Sequence, residues 1–124
     1  MRPPIPRRQH GWADYTYVPA VLAAPRLASF AHDTTPARLA YAFSGVALLS
    51  AVSTRAEWGV MKLVPFRAHL VVDALAGVAA LAVPWLFGFA RDRRARNTFL
   101  AMGVVGLAAA ALSRPEEMPA APRR

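Results

Sequence analysis

The stretch that decides the fold covers residues 70–90 and reads Leu70-Val-Val-Asp-Ala-Leu-Ala-Gly-Val-Ala-Ala-Leu-Ala-Val-Pro-Trp-Leu-Phe-Gly-Phe-Ala90. Asp73 is its one charged residue, and its apolar residues leave no polar helical face for water. At about 1.5 Å per residue, a helix of this length spans about 30 Å, which matches the hydrocarbon core of a bilayer. The stretch predicts a membrane-spanning helix.

Three further apolar stretches, residues 15–31, 39–53 and 98–113, accompany it in this chain of 124 residues. The composition is 56% apolar and only 18% charged, whereas soluble domains are about a quarter charged. We therefore predict an all-α fold, an integral membrane four-helix bundle at residues 14–113, with helices at about 14–31, 36–54, 67–90 and 95–113. Flexible tails are expected at residues 1–13, which are basic and Pro-rich, and at 114–124.

The net charge of +8 comes from basic residues that lie almost wholly between the apolar stretches. Since no aromatic residues for base stacking alternate with them, nucleic acid is excluded as a partner and the lipid bilayer is expected instead. Loop charges favour cytoplasmic termini, although the cluster of arginines at residues 91–96 opposes that orientation. The absence of cysteine excludes disulfides, thiolate metal sites and cysteine nucleophiles.

The two halves of the chain repeat one another. A shift of 59 residues, from position 10 to position 69, aligns the halves without a gap. Each unit holds two helices, so both units would enter the membrane from the same side; this parallel repeat removes the support for rocking mechanisms built on inverted repeats. The identical pairs include His10/His69, Asp14/Asp73, Pro25/Pro84, Phe30/Phe89 and Asp33/Asp92.

The second repeat carries a recognisable motif. Its His69-Leu-Val-Val-Asp73 and Val83-Pro84-Trp85-Leu-Phe-Gly88-Phe89-Ala90 segments resemble the SPW-repeat family of bacterial integral membrane proteins. Val83 stands where that family has Ser, and the first repeat has Arg26 in place of Trp. The resemblance implies a four-helix domain in the bacterial inner membrane and implies no activity.

The Pro-Trp motif also has a physical interpretation. A proline removes a backbone donor and kinks a helix, a tryptophan anchors the helix end at the membrane interface, and a glycine permits a turn. We predict a structural role for the motif residues Pro25, Pro84, Trp85, Gly88 and Phe89.

The paired His-x-x-x-Asp motifs are the sharpest functional candidates. His10 and Asp14, like His69 and Asp73, are four residues apart and therefore share one helix face. If the repeats converge, these groups could bind a divalent metal or pass protons. The favoured interpretation is structural: each pair lies near a helix start and forms ion pairs with loop arginines such as Arg8 and Arg67. On that interpretation the chain has no metal, cofactor or catalytic residue.

Three functions remain open. The favoured one is a non-enzymatic structural or interaction component of the inner membrane, bound to a second copy or to another membrane protein. The alternative is an oligomeric transporter or channel for protons or small solutes that uses the His/Asp pairs. The least favoured is a membrane metal or redox protein.

Overall fold

The computed structural model describes residues 1–120. Within them the chain is all-helical, and β-type pairing is limited to two isolated bridges. The helices are α1 (Arg7–Leu27), α2 (Thr34–Ser53), α3 (Phe66–Leu86) and α4 (Arg93–Leu112). The prediction of four helices is confirmed. The largest difference in bounds is at α1, which begins at Arg7 and not at residue 14.

Helices α1 and α2 form one hairpin, and α3 and α4 form another. In the second hairpin Gly77 and Gly103 face each other, and a Cβ added to Gly103 would lie only 2.8 Å from the Gly77 carbonyl oxygen. Glycines at the contact thus bring the backbones of α3 and α4 close together. Packing within each hairpin is more extensive than packing between the hairpins.

The repeat is visible in how the hairpins end. The first helix of each hairpin stops just after its proline, because the amide of Phe30 donates to the Pro25 carbonyl and the amide of Phe89 donates to the Pro84 carbonyl. The turn between each pair places Ser29 (φ 60°) and Gly88 (φ 75°) in the left-handed region. The motif prolines therefore lie in the last turn of their helices, just before the helix ends, and do not kink a helix in its middle.

Two backbone bridges tie the hairpins together at the opposite end. Ile5, before α1, pairs with Ser113, after α4, and Thr54, after α2, pairs with Val64, before α3. These bridges are equivalent under the shift of 59 residues. The start of each hairpin is thus attached to the end of the other, which gives this end of the molecule an approximate two-fold symmetry.

The terminal segments differ from the expected free tails. Arg7, the first residue of α1, binds Glu57 of the middle connection (residues 54–65, between α2 and α3) through two nitrogen–oxygen contacts of 2.6 and 3.0 Å. Glu117 accepts hydrogen bonds from the amides of Phe66 and Arg67, which have no partner within the helix because they lie at the start of α3. Residues 121–124 of the predicted C-terminal tail lie outside the described residues.

We predict that Glu57→Gln lowers the free energy of unfolding by about 1.5–3 kcal/mol near neutral pH, the range for hydrogen bonds to charged groups. The hydrogen bond from Arg7 holds the pKa of Glu57 below its ordinary value of 4.5. This stabilisation is present above that ordinary value and disappears as pH falls through the lowered pKa of the folded state. Unfolding of both proteins, measured near neutral pH and in acid, should therefore differ only near neutral pH. An equal difference in acid would contradict the ion-pair explanation.

Candidate functional site

The first turns of α1 and α3 bring the two His-x-x-x-Asp motifs together. The rings of His10 and His69 have centroids 5.2 Å apart, and the two residues are 0% and 1% exposed. Asp14 and Asp73, one turn further along each helix, point into the same space and keep 13% and 18% of their side chains exposed. The four residues form a His/Asp centre at the end of the molecule that holds the two bridges.

The ligand-type atoms of the His/Asp centre lie within 4.8 Å of one another. His10 Nε2 is 3.2 Å from Asp14 Oδ1 and 2.9 Å from Asp73 Oδ2. His69 Nε2 is 2.8 Å from Asp14 Oδ2 and 3.3 Å from Asp73 Oδ2. The two Nε2 atoms are 3.3 Å apart. Each histidine therefore contacts the carboxylate of its own helix and that of the other hairpin.

The other ring nitrogens bind hydroxyl groups. His10 Nδ1 lies 2.6 Å from Ser113 Oγ, and His69 Nδ1 lies 2.8 Å from Thr54 Oγ1. Each hydroxyl donates its proton to a carbonyl one turn earlier in its own helix, at Ala109 and at Ser50. Because a hydroxyl has one proton, Ser113 and Thr54 accept hydrogen bonds from the histidines. This network favours a proton on Nδ1 of both histidines; Ser50 Oγ, 3.0 Å from His69 Nδ1, is placed to accept from the same N–H.

Aromatic side chains cover the histidine side of the centre. Phe66 stacks on His69 at a centroid distance of 5.9 Å, and Trp58 lies 5.3 Å from the same ring. The Trp58 indole donates to the Arg7 carbonyl at 2.8 Å, and its ring lies over Gly11, where any Cβ would overlap it. The middle connection therefore closes the His/Asp centre from the outside.

A half-open cleft of about 440 Å³ reaches the centre from the other side, between the two hairpins. Its walls are overwhelmingly apolar, and the carboxylates of Asp14 and Asp73 lie at its inner end. Towards the far loops, Phe30, Phe89 and Phe99 are buried in one hydrophobic cluster, and they do not line the cleft.

The structure thus brings together all four candidate residues, whereas the sequence favoured separate pairing with Arg8 and Arg67. Arg67 Nε instead donates to the Pro115 carbonyl. The motif residues Pro25, Pro84, Trp85, Gly88 and Phe89 lie at the opposite end of the molecule, away from this centre. Trp85 is 60% exposed there, as an interfacial anchor would be.

Sequence reasoning missed Thr54, Ser113, Trp58 and Phe66. For the hydroxyl residues a signal was present: Thr54 and Ser113 are equivalent under the shift of 59 residues, so a search for similar as well as identical pairs finds them. Trp58 lies in the middle connection and Phe66 is the first residue of α3, and nothing in their spacing points to the histidines.

Comparison with known proteins identifies no relative: no protein family, curated protein or solved structure matches this chain. The resemblance of the second repeat to SPW-repeat proteins remains a prediction.

Proposed function

We propose that this chain is a multi-pass protein of the bacterial inner membrane with a structural or interaction role and no enzymatic activity. One observation carries the membrane location: the middle of the molecule presents large apolar side chains outwards and no charged ones. Apart from Asp14 and Asp73, which point inwards, the charged residues of the helices lie in the turns near the helix ends. The exposed apolar side chains of this belt include Leu22, Val46, Leu49, Val71, Val78, Val104 and Val105.

Two helices, α3 and α4, are long and apolar enough to cross a membrane. Helix α1 carries more charge, with Arg7, Arg8 and Asp14 in its first half and Arg26 in its last turn. These charges lie near the two ends, where long side chains can reach the interface. A four-span arrangement with both termini in the cytoplasm is our proposal for the whole bundle.

The packing of the hairpins favours an interaction role over a transport role. A transport path through one copy would have to continue from Asp14 and Asp73 to the far side, but the cluster of Phe30, Phe89 and Phe99 occupies that end. The cleft therefore has a polar inner end and no second polar end within the described residues. Its open side, with Val46 and Val105 on the walls, suits an apolar partner such as a lipid chain or a further membrane helix.

An oligomeric transporter is the second candidate function, and the observation that favours it is the position of the two carboxylates at the inner end of the cleft. Ionisable groups at membrane depth are commonly functional. In such an assembly, a second copy would have to continue the path that the phenylalanine cluster closes in one copy.

Replacing Val78 with arginine tests the membrane location. Val78 lies near the middle of α3 and is 55% exposed. In a bilayer this charge should cost about 2.5–3.5 kcal/mol of insertion free energy, whereas a surface substitution in a soluble protein stays within about 0.5 kcal/mol. We expect Val78→Arg to reduce the fraction of protein that resists alkaline extraction from membranes.

Val78→Leu is the matched control and should remain membrane-bound like the unchanged chain. If the unchanged protein is released by alkaline carbonate, or if Val78→Arg accumulates as a folded protein in the aqueous fraction with undiminished stability, the membrane location is refuted.

A further inference from the structure

We propose that the His/Asp centre binds one Zn²⁺ ion through His10 Nε2, His69 Nε2 and one carboxylate oxygen each from Asp14 and Asp73. This inference goes beyond the proposed structural role and does not depend on the membrane location. It rests on the spacing of the four groups, the tautomer of the histidines and the balance of charge in a buried space.

The spacing matches a tetrahedral ion. Zinc–nitrogen and zinc–oxygen bonds are about 2.0–2.2 Å, which places any two ligand atoms of a tetrahedral site about 3.3–3.6 Å apart. With Asp14 Oδ2 as its oxygen, four of the six pairs in the His/Asp centre are contacts of 2.8 to 3.3 Å. Since one ligand atom from each residue lies within 4.8 Å of the others, small side-chain shifts would give zinc-binding distances.

The hydrogen bonds to the histidines prepare them as ligands. Because Ser113 and Thr54 accept the Nδ1 protons of His10 and His69, a neutral imidazole carries its lone pair on Nε2, the atom that faces the centre. Histidines that bind metals almost always donate their other ring N–H in this way, which fixes the ring orientation and raises the basicity of the ligand. The same arrangement occurs twice, once in each repeat.

The charge of the centre suits a divalent cation. With two carboxylates and two neutral imidazoles, the centre has a charge of −2 and directs only acceptor atoms inwards. Asp14 Oδ2 is buried and has no well-aligned hydrogen bond, although His69 Nε2 is 2.8 Å away. In the metal-free protein, protons on both Nε2 atoms would neutralise the same charge, and zinc binding would displace them. One divalent ion satisfies all four groups at once.

The ion would connect the hairpins, since His10 and Asp14 come from the first and His69 and Asp73 from the second. Four protein ligands with no free position are typical of structural zinc sites. The aromatic cover of Trp58 and Phe66 excludes water from the histidine side, which is consistent with a tightly held ion. We therefore assign the ion a role in holding the repeats together.

Metal content and cobalt spectroscopy test the proposal. The full chain, purified in detergent, stripped with a chelator and re-exposed to Zn²⁺, is expected to retain one ion per chain by mass spectrometry. Co²⁺ in its place should give the intense visible absorption of a tetrahedral site, and Zn²⁺ should displace it. His10→Ala should abolish both signals. His32→Ala, which changes an exposed loop histidine, should preserve both.

The comparison remains informative if His10→Ala misfolds, because the cobalt spectrum of the unchanged chain stands alone. A stripped and folded chain that retains no Zn²⁺, or that shows only octahedral cobalt absorption, overturns the proposal. Equal metal content in His10→Ala and the unchanged chain also overturns it. Alkaline extraction of the same samples reports the membrane location separately, so failure of one proposal is distinguishable from failure of the other.

Ser113→Ala tests the supporting hydrogen bond. This substitution removes the acceptor of the His10 Nδ1 proton and leaves all four ligands in place. We expect zinc affinity, measured by competition with a chromogenic chelator, to fall about 10–100-fold, the usual effect of losing such a partner. Ser53→Ala, a change in the last residue of α2, should bind zinc like the unchanged chain. Unchanged affinity in Ser113→Ala would contradict the assigned tautomer.

Discussion

Removing one histidine from the centre is expected to destabilise the metal-free protein strongly. In His69→Ala the carboxylates of Asp14 and Asp73 lose one of the two imidazoles able to carry a compensating proton, and the aromatic cover keeps that side of the centre dry. Breaking a buried charged pair by deleting one partner costs about 3–5 kcal/mol. We expect a loss of this size in the free energy of unfolding, measured by denaturant titration in micelles with chelator present.

The partner substitutions supply the control. If the loss comes from uncompensated carboxylates, adding Asp14→Asn and Asp73→Asn to His69→Ala should recover part of it, because the remaining groups are then neutral. If the loss comes only from the missing imidazole volume, the added substitutions should recover nothing. That second result would show that interactions between charges in the His/Asp centre do not account for the loss of stability.

The four helices could be predicted from the sequence because each one corresponds to a continuous apolar stretch. The four apolar stretches predict four helices, and Pro25 and Pro84 mark the ends of the first helix in each hairpin. The predicted boundaries are less accurate at α1, because the sequence places residues 1–13 in a tail and the helix begins at Arg7. Arg7 and His10 become ordered through partners far away in sequence, at Glu57 and at Ser113, and no local pattern records such contacts.

The His/Asp centre could be predicted only in part, for a related reason. The repeat indicates that His10 and His69 are equivalent, but equivalence alone places them either side by side or at opposite edges of the bundle. The bridges of Ile5 to Ser113 and of Thr54 to Val64 decide between these arrangements. They attach the start of each hairpin to the end of the other and thereby direct both histidines inwards. This connection is a tertiary property that helical periodicity does not encode.

The close approach of α3 and α4 leads to a second large expected effect. A Cβ at position 103 would lie 2.5 Å from Leu81 Cγ and 2.8 Å from the Gly77 carbonyl oxygen. The leucine could rotate away, but the carbonyl belongs to the facing helix and cannot. We expect Gly103→Leu to lower the free energy of unfolding by about 3 kcal/mol or more, at the upper end of overpacking effects. Denaturant titration in micelles measures the loss.

Gly45→Leu is the matched control, since it makes the same change in α2, where nothing lies within 4 Å of an added Cβ. It should leave stability unchanged or raise it slightly, by up to about 1 kcal/mol, because leucine is a better helix former than glycine. Equal destabilisation by the two substitutions would mean that Gly103 matters for backbone reasons and not for helix contact. Destabilisation by Gly103→Leu alone would establish that the second hairpin depends on the contact between Gly77 and Gly103. The same contact positions His69 and Asp73 opposite their counterparts in the first hairpin.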